Sequence, residues 1–302
     1  MSNNKPFDQF VMVNICFSAY SGGISLKKTS LANNTLPSEL SSSGDLKLIN
    51  PKRLTAFNTL RANARIACLK YGTSFAGGYA VPVAKWADTK ELLDKLKDSF
   101  EKEARNFVDD YHSYVEEWAS HCEEKYPGKG KVIRDAQHDA SWLRGRFNAS
   151  YLATFVQPIE GTEDDATNLV GGMYESVISD VSAAAKQAVK GHEKGSQITR
   201  RMVTGTLQDL LDKLKGLAFV SSSIQSLHDV IEDYLAKILI PASGHLDKAE
   251  QQKIVFLLYA LSDPDSIDNI GAVLSPVTKE PEPQPIQEVV SDEDEDDFFF
   301  IQ

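Results

Sequence analysis

Apolar residues recur along most of this chain at spacings of three and four, which predicts helices; the early segments depart from that rule. Phe10-Val-Met-Val-Asn-Ile-Cys-Phe17 is apolar, β-rich and runs into Gly22-Gly23, the pattern of one strand and a turn. Residues 27–50, rich in Ser, Asn and Leu, predict a loop with one short turn. Pro51 then opens a helix that carries Leu54, Phe57, Leu60, Ala64 and Ala67 on one face and ends at Gly72. Paired glycines within Phe75-Ala-Gly-Gly-Tyr-Ala-Val-Pro82 predict a tight turn or short hairpin.

The strongest signal starts at the cap Asp88 or Thr89. Leu92, Leu96, Phe100, Ala104, Phe107, Tyr111, Tyr114 and Trp118 keep one face apolar over a helix spanning 89–124. At 1.5 Å per residue that helix is about 50 Å long, too long for a compact globule, so an extended hairpin or bundle arm is expected. The loop Tyr126–Lys131 leads into a second helix with Ile133, Ala136, Ala140, Leu143, Phe147 and Tyr151 on its face. Further helices follow over 166–190, 198–215, 223–239 and 247–261, bounded by Gly216, Ser221–Ser223, Pro241 with Gly244, and Asp263-Pro264. Gly171-Gly172 falls inside the first of these and predicts close packing or a kink. From Pro276 onward, prolines alternate with Glu and Gln, a composition that cannot collapse, so disorder is expected over 277–297.

The expected fold is therefore mainly α: an extended helical bundle with a long helical hairpin, a small N-terminal β element and a disordered acidic C-terminal tail. The expected division is 1–86 for the β/α element, 87–275 for the bundle and 276–302 for the tail with its aromatic tip.

Charge sharpens this picture. Of the 43 acids in 302 residues, nine fall between Lys279 and Gln302 against the single base Lys279, so the rest of the chain holds only −3 of the formal −11. A near-neutral body argues against a strongly basic nucleic-acid binder. Cys16, Cys68 and Cys122 cannot form a disulfide framework, which favours a reducing compartment. No apolar run reaches membrane-spanning length, and Met1–Gln9 is polar rather than a signal peptide. A soluble cytoplasmic protein with no membrane partner is expected.

Catalytic chemistry is hard to place. The six histidines form no HxxxH or HExxH pair, and His121-Cys122-Glu123-Glu124 points its side chains about 100° apart on a helix, so no metal site is expected. Gly77-Gly78 lacks the surroundings of a phosphate-binding loop. There is no GxSxG, and Cys16 and Cys68 read as buried, inert thiols. Asp109-Asp110 and Glu116-Glu117 lie opposite the apolar stripe and read as a solvated face. No enzyme activity and no cofactor are expected.

Two features suggest binding. Trp142-Leu-Arg144-Gly-Arg146-Phe147 interleaves cations with aromatics, and Arg200-Arg201 opens a later helix; together Trp142, Arg144, Arg146, Arg200 and Arg201 are candidate nucleic-acid contacts. The plainer alternative pairs Arg144 and Arg146 with carboxylates of the long helix. The sharper feature is the tail: Asp292, Glu293, Asp294, Glu295, Asp296 and Asp297 precede Phe298, Phe299, Phe300 and Ile301. An apolar cluster at an exposed end marks a docking peptide for a protein partner. It resembles the acidic, aromatic-ended tips of bacterial and phage single-stranded-DNA-binding proteins, although here Ile301-Gln302 follow the last Phe.

The order of motifs carries a wider resemblance. Val11 to Gly23 leads into Pro51-Lys-Arg-Leu54, then Thr73-Ser-Phe75-Ala-Gly-Gly-Tyr79-Ala-Val-Pro82, Trp142 to Phe147, Thr199-Arg-Arg201, Leu214 to Phe219 and Leu261-Ser-Asp263-Pro264. Over residues 8 to 265 this resembles a family of uncharacterised helical proteins of phages, plasmids and integrative elements. That family is often encoded beside a cobaltochelatase-type AAA ATPase and a von Willebrand-type companion, and near recombination and single-strand-binding genes. The resemblance implies a non-enzymatic adaptor in mobile-element DNA metabolism with an AAA ATPase partner. Its rivals are a single-stranded-DNA-binding protein with an autoinhibitory tail, and a DNA mimic that blocks a host defence enzyme. Long amphipathic helices also allow a homo-oligomer.

Overall fold

The computed structural model describes residues 6–25, 37, 39–42, 45–195 and 197–274. The tail over 276–302, with every residue from Asp292 to Ile301, lies outside them.

Strand β1 (Phe10–Ser18) is the centre of a four-stranded antiparallel sheet. The hairpin of β5 (Thr73–Phe75) and β6 (Gly78–Pro82) flanks it on one side, with Met12 opposite Ala80. On the other side lies β7 (Asn148–Thr154), with Asn14 opposite Leu152. Strands β2 (Gly23–Ser25), β3 (Ser41–Ser42) and β4 (Asp45–Lys47) form a second, smaller sheet in the order β2-β4-β3.

Alternation along β1 divides the apolar interior in two. Val11, Val13 and Phe17 face one core, with Phe57 of α1 (Thr55–Tyr71) and Phe100, Phe107, Tyr111 and Val115 of α2 (Trp86–Lys125). Phe10 faces the other, with Phe75 and Ala80 of the hairpin and the helices beyond. Those helices are α5 (Glu163–Glu193), α6 (Gln208–Leu217), α7 (Ser222–Leu235) and α8 (Lys248–Ser262), followed by the short α9 (Pro264–Asp268) and α10 (Ile270–Leu274). Residues Met202–Leu207 make a π-helical turn that runs directly into α6.

An ion pair with a buried lysine and a half-buried aspartate ties the two cores together. The ammonium of Lys213 on α6, 7% exposed, donates to Asp180 Oδ2 of α5 at 2.8 Å and to the Leu69 carbonyl of α1 at 3.0 Å. At the far end of α2, Glu39 gathers Lys125 at 2.5 Å, the Tyr126 hydroxyl at 3.1 Å and His121 at 3.4 Å. These partners, Lys125 foremost, bring the Glu39 pKa down to about 2.

The mainly helical architecture, the long helix and the N-terminal β element match expectation, with α2 running to 40 residues. Its apolar stripe is rotated by one position at the start, where Leu93 is buried and Leu92 is exposed. The return arm differs. The single helix expected through Ile133, Leu143 and Tyr151 is replaced by α3 (Lys129–Asp135), α4 (Ala140–Arg144) and then β7. Asn148-Ala-Ser-Tyr-Leu-Ala-Thr154 meets the open edge of β1, and pairing over seven residues satisfies backbone groups that a helix end would leave to solvent. The loop expected over 27–50 also contains β3 and β4. Gly171 and Gly172 do not pack closely, since a Cβ at either meets nothing within 4 Å.

A cleft rimmed by unpaired arginines

The candidate site grows from the turn between α4 and β7. Asp139 caps α4, accepting from the Ser141 hydroxyl at 2.6 Å and from the Ser141 and Trp142 amides at 2.7 and 2.9 Å. These donors, the hydroxyl foremost, hold its carboxyl below the usual range. Leu143 is fully buried and pins this short helix to the core, which turns Trp142, Arg144 and Arg146 outward.

Trp142 stacks on His138 with ring centres 3.6 Å apart and planes 17° from parallel. The Arg146 guanidinium lies over the indole at 4.2 Å, and Tyr20 meets it edge-on at 6.1 Å. Burial, with the charge of Arg146 beside it, holds the His138 imidazole below the usual histidine range. Its buried Nε2 and the buried Tyr20 hydroxyl have no hydrogen-bond partner among the described residues. The indole is thus stacked by His138 and covered by Arg146, although Trp142 remains 37% exposed.

Beside this stack, Phe100, Ala104 and Val108 of α2 face Phe147 and Ala149 across a cleft of about 510 Å³. Phe147 rests on Phe57 and Phe107, with ring centres 5.0 and 5.4 Å apart, so the floor is backed by a fixed aromatic lattice. Glu101, Arg105, Asp109 and Arg144 stand at the rim. Nearby, Arg53 pairs with Glu117 at 2.6 Å and Arg134 with Glu116 at 2.8 Å, and Arg61 donates to the Phe17 carbonyl at 2.8 Å. Arg105, Arg144 and Arg146 have no such partners. Among the described residues none of their guanidinium groups makes an ion pair or a hydrogen bond, although Glu101 stands 3.9 Å from Lys97 and Asp109 is close by in sequence. The plainer expectation, that Arg144 and Arg146 pair with the long helix, is not met.

The structure brings Trp142, Arg144 and Arg146 together but leaves Arg200 and Arg201 in the other core's shell. There the Arg200 backbone amide donates to the Gly244 carbonyl at 2.9 Å and its guanidinium donates to the Ala242 carbonyl, closing a loop. Arg105 escaped the sequence reading because a helical spacing of four from Glu101 and Asp109 imitates a solvated, salt-bridged face. Its neighbours Ala104 and Val108, both turned inward, were the available signal.

Other candidate chemistry resolves into structure. Cys68 and Cys122 are buried, and burial pushes their thiols up to about 12 and about 11. Cys16, expected to be buried, is exposed, because only one end of that sheet face is covered by helices. In the former metal candidate, Cys122 is buried, His121 faces Glu39, and Glu123 accepts from the Gly128 and Gly130 amides at 2.7 Å each. Among the described residues, the ligand atoms of His228, Asp229 and Glu232 lie within 4.8 Å of one another, with Asp229 and Glu232 on the exposed side of α7.

The glycine-rich motif has a backbone explanation. Phe75 pairs with Gly78, so Ala76 and Gly77 form a two-residue turn with φ of 44° and 78°, the left-handed values such a turn demands. A Cβ on Gly78 would stand 2.5 Å from Asn14 Oδ1 and 2.7 Å from the Val13 carbonyl oxygen, so close strand contact requires glycine there. The turn borders a groove of about 920 Å³ that also includes Arg65, Asp165 and Asn168.

A mainly helical protein with an antiparallel sheet shared between two cores, and an arginine-rimmed apolar cleft on one of them, is the class these features define. The chain belongs to the family described as Protein of unknown function (DUF3150), whose model matches residues 7–263. No curated protein and no solved structure matches it. Among the described residues no helix is long and apolar enough to cross a membrane.

Proposed function

We propose that this protein is a non-catalytic adaptor of a phage or other mobile element, acting in DNA metabolism beside an AAA ATPase. It recognises partners through acidic, aromatic segments, and it carries both halves of such a recognition: the tail Asp292–Ile301 and an acceptor cleft. The observation that carries this reading is the two unpaired guanidinium groups, Arg105 and Arg144, at the rim of a floor of Phe100, Val108 and Phe147. Guanidinium groups that make no ion pair or hydrogen bond are available to an anionic ligand. An apolar floor between them favours a ligand that also brings apolar side chains.

A second reading, a single-stranded-DNA-binding surface at Trp142, Arg144 and Arg146, shares the Arg144 guanidinium with the cleft. The stacking of Trp142 on His138 counts against it, since base stacking is the sequence-tolerant part of such binding. Fluorescence anisotropy separates the two. With full-length protein, a labelled peptide of residues 286–302 is expected to bind, weakening as salt rises, while labelled oligo(dT) binds more weakly. Tight oligo(dT) binding with no peptide binding would reverse the order of the two readings.

A further inference from the structure

We infer that the tail of this same chain seats in the arginine-rimmed cleft, with Phe298, Phe299, Phe300 and Ile301 on the apolar floor and Asp292–Asp297 against Arg105 and Arg144. The inference rests on the cleft being an acceptor for acidic aromatic segments and adds its resident occupant.

Three observations support it. The first is charge: the tail carries six consecutive carboxylates, and the rim guanidinium groups of Arg105 and Arg144 make no ion pair among the described residues, although Glu101 and Asp109 share that rim. The second is apolar match. The tail ends in three phenylalanines and an isoleucine, and the cleft floor is Phe100, Ala104, Val108, Phe147 and Ala149. The third is reach. The described chain ends at Leu274 on α10, and 23 residues separate it from Phe298. Fully extended they span about 80 Å, more than the roughly 60 Å of the 40-residue α2. Four prolines in that stretch favour extended conformations and add to its reach.

The consequence is regulation. A tethered occupant acts at an effective concentration near 1 mM, so a segment with a dissociation constant of about 0.1 mM fills the cleft about nine-tenths of the time. It then lowers the apparent affinity of any external acidic segment about tenfold. A partner that captures the tail by its own pocket releases the arginines at the same moment. Tail capture and cleft opening become one event.

The test uses the full chain. Phe298→Ala, Phe299→Ala and Phe300→Ala are combined in one variant, which alters no described residue. Labelled peptide 286–302 is titrated into wild type and variant, and sedimentation follows the oligomeric state over the same range. About tenfold tighter peptide binding by the variant, with both forms monomeric, is the expected result. Equal binding by the two forms overturns the resident tail and leaves the acceptor cleft standing. A tighter variant beside a dimeric wild type overturns it as well, because the tail then belongs to a second copy. No binding by the variant removes the acceptor cleft itself, and the inference with it.

Discussion

Asp180→Ala is expected to lower folding stability at neutral pH by about 2 kcal/mol, less than for a fully buried pair because the Asp180 side chain is 32% exposed to screening solvent. The Lys213 ammonium would keep only the Leu69 carbonyl, in a site where its residue is 7% exposed. Burial already depresses the Lys213 pKa, and Asp180 offsets only part of that. Between this lowered value and the roughly 10.4 of an unfolded lysine, the unfolded chain binds more protons, so stability rises with pH in that window. Loss of Asp180 deepens the depression. The deficit of Asp180→Ala should therefore shrink as pH is raised from about 7 toward about 10, where lysine in either state loses its proton. Urea denaturation of both proteins at the two ends of that range checks this, and a deficit that does not change with pH would mean Lys213 is not the stranded charge. Because the pair joins α1, α5 and α6, its loss should loosen the two cores from each other rather than either core alone.

Arg105→Glu combined with Arg144→Glu is expected to weaken peptide 286–302 by about 30- to 100-fold in the chain lacking the three tail phenylalanines. That corresponds to about 2–3 kcal/mol, the scale of losing charge pairs at a partly desolvated rim and replacing them with repulsion. Neither guanidinium has a partner to lose, so thermal stability should stay within about 0.5 kcal/mol of the parent. Isothermal titration together with thermal unfolding reads both quantities. Binding that survives the double reversal would place the peptide elsewhere.

These two sites were unequally legible in the sequence. The long helix was readable because its apolar stripe continues for many turns, and the tail because composition alone separates it from the body. Strand β7 was not. Leu143, Phe147 and Tyr151 repeat every four residues and imitate a helix face, while the partner that makes the segment a strand, β1, is more than a hundred residues earlier. The same long-range pairing creates the cleft, since Ala149 enters it from the first turn of β7's ladder. Trp142, Arg144 and Arg146 were visible as a local cluster of cations and aromatics. Arg105 was not, because only the packing of α4 and β7 against α2 shows that its neighbours form a floor. Lys213 and Asp180 were equally hidden, each looking like an ordinary solvated charge until the helices α5 and α6 met across α1. The Arg200-Arg201 pair looked like part of the same surface, and local sequence held nothing to say that it closes a loop on the other core.

The most direct measurement places a photoreactive benzoyl group on the tail. Phe299 is replaced by benzoyl-phenylalanine in the full chain, irradiated at high dilution, and the linked peptides are identified by mass spectrometry. Links within one chain to the stretch from Phe100 to Asp109, or from Arg144 to Ala149, are the predicted result. Links scattered over the surface, confined to the groove beside Gly77 and Gly78, or formed only between chains would contradict the account.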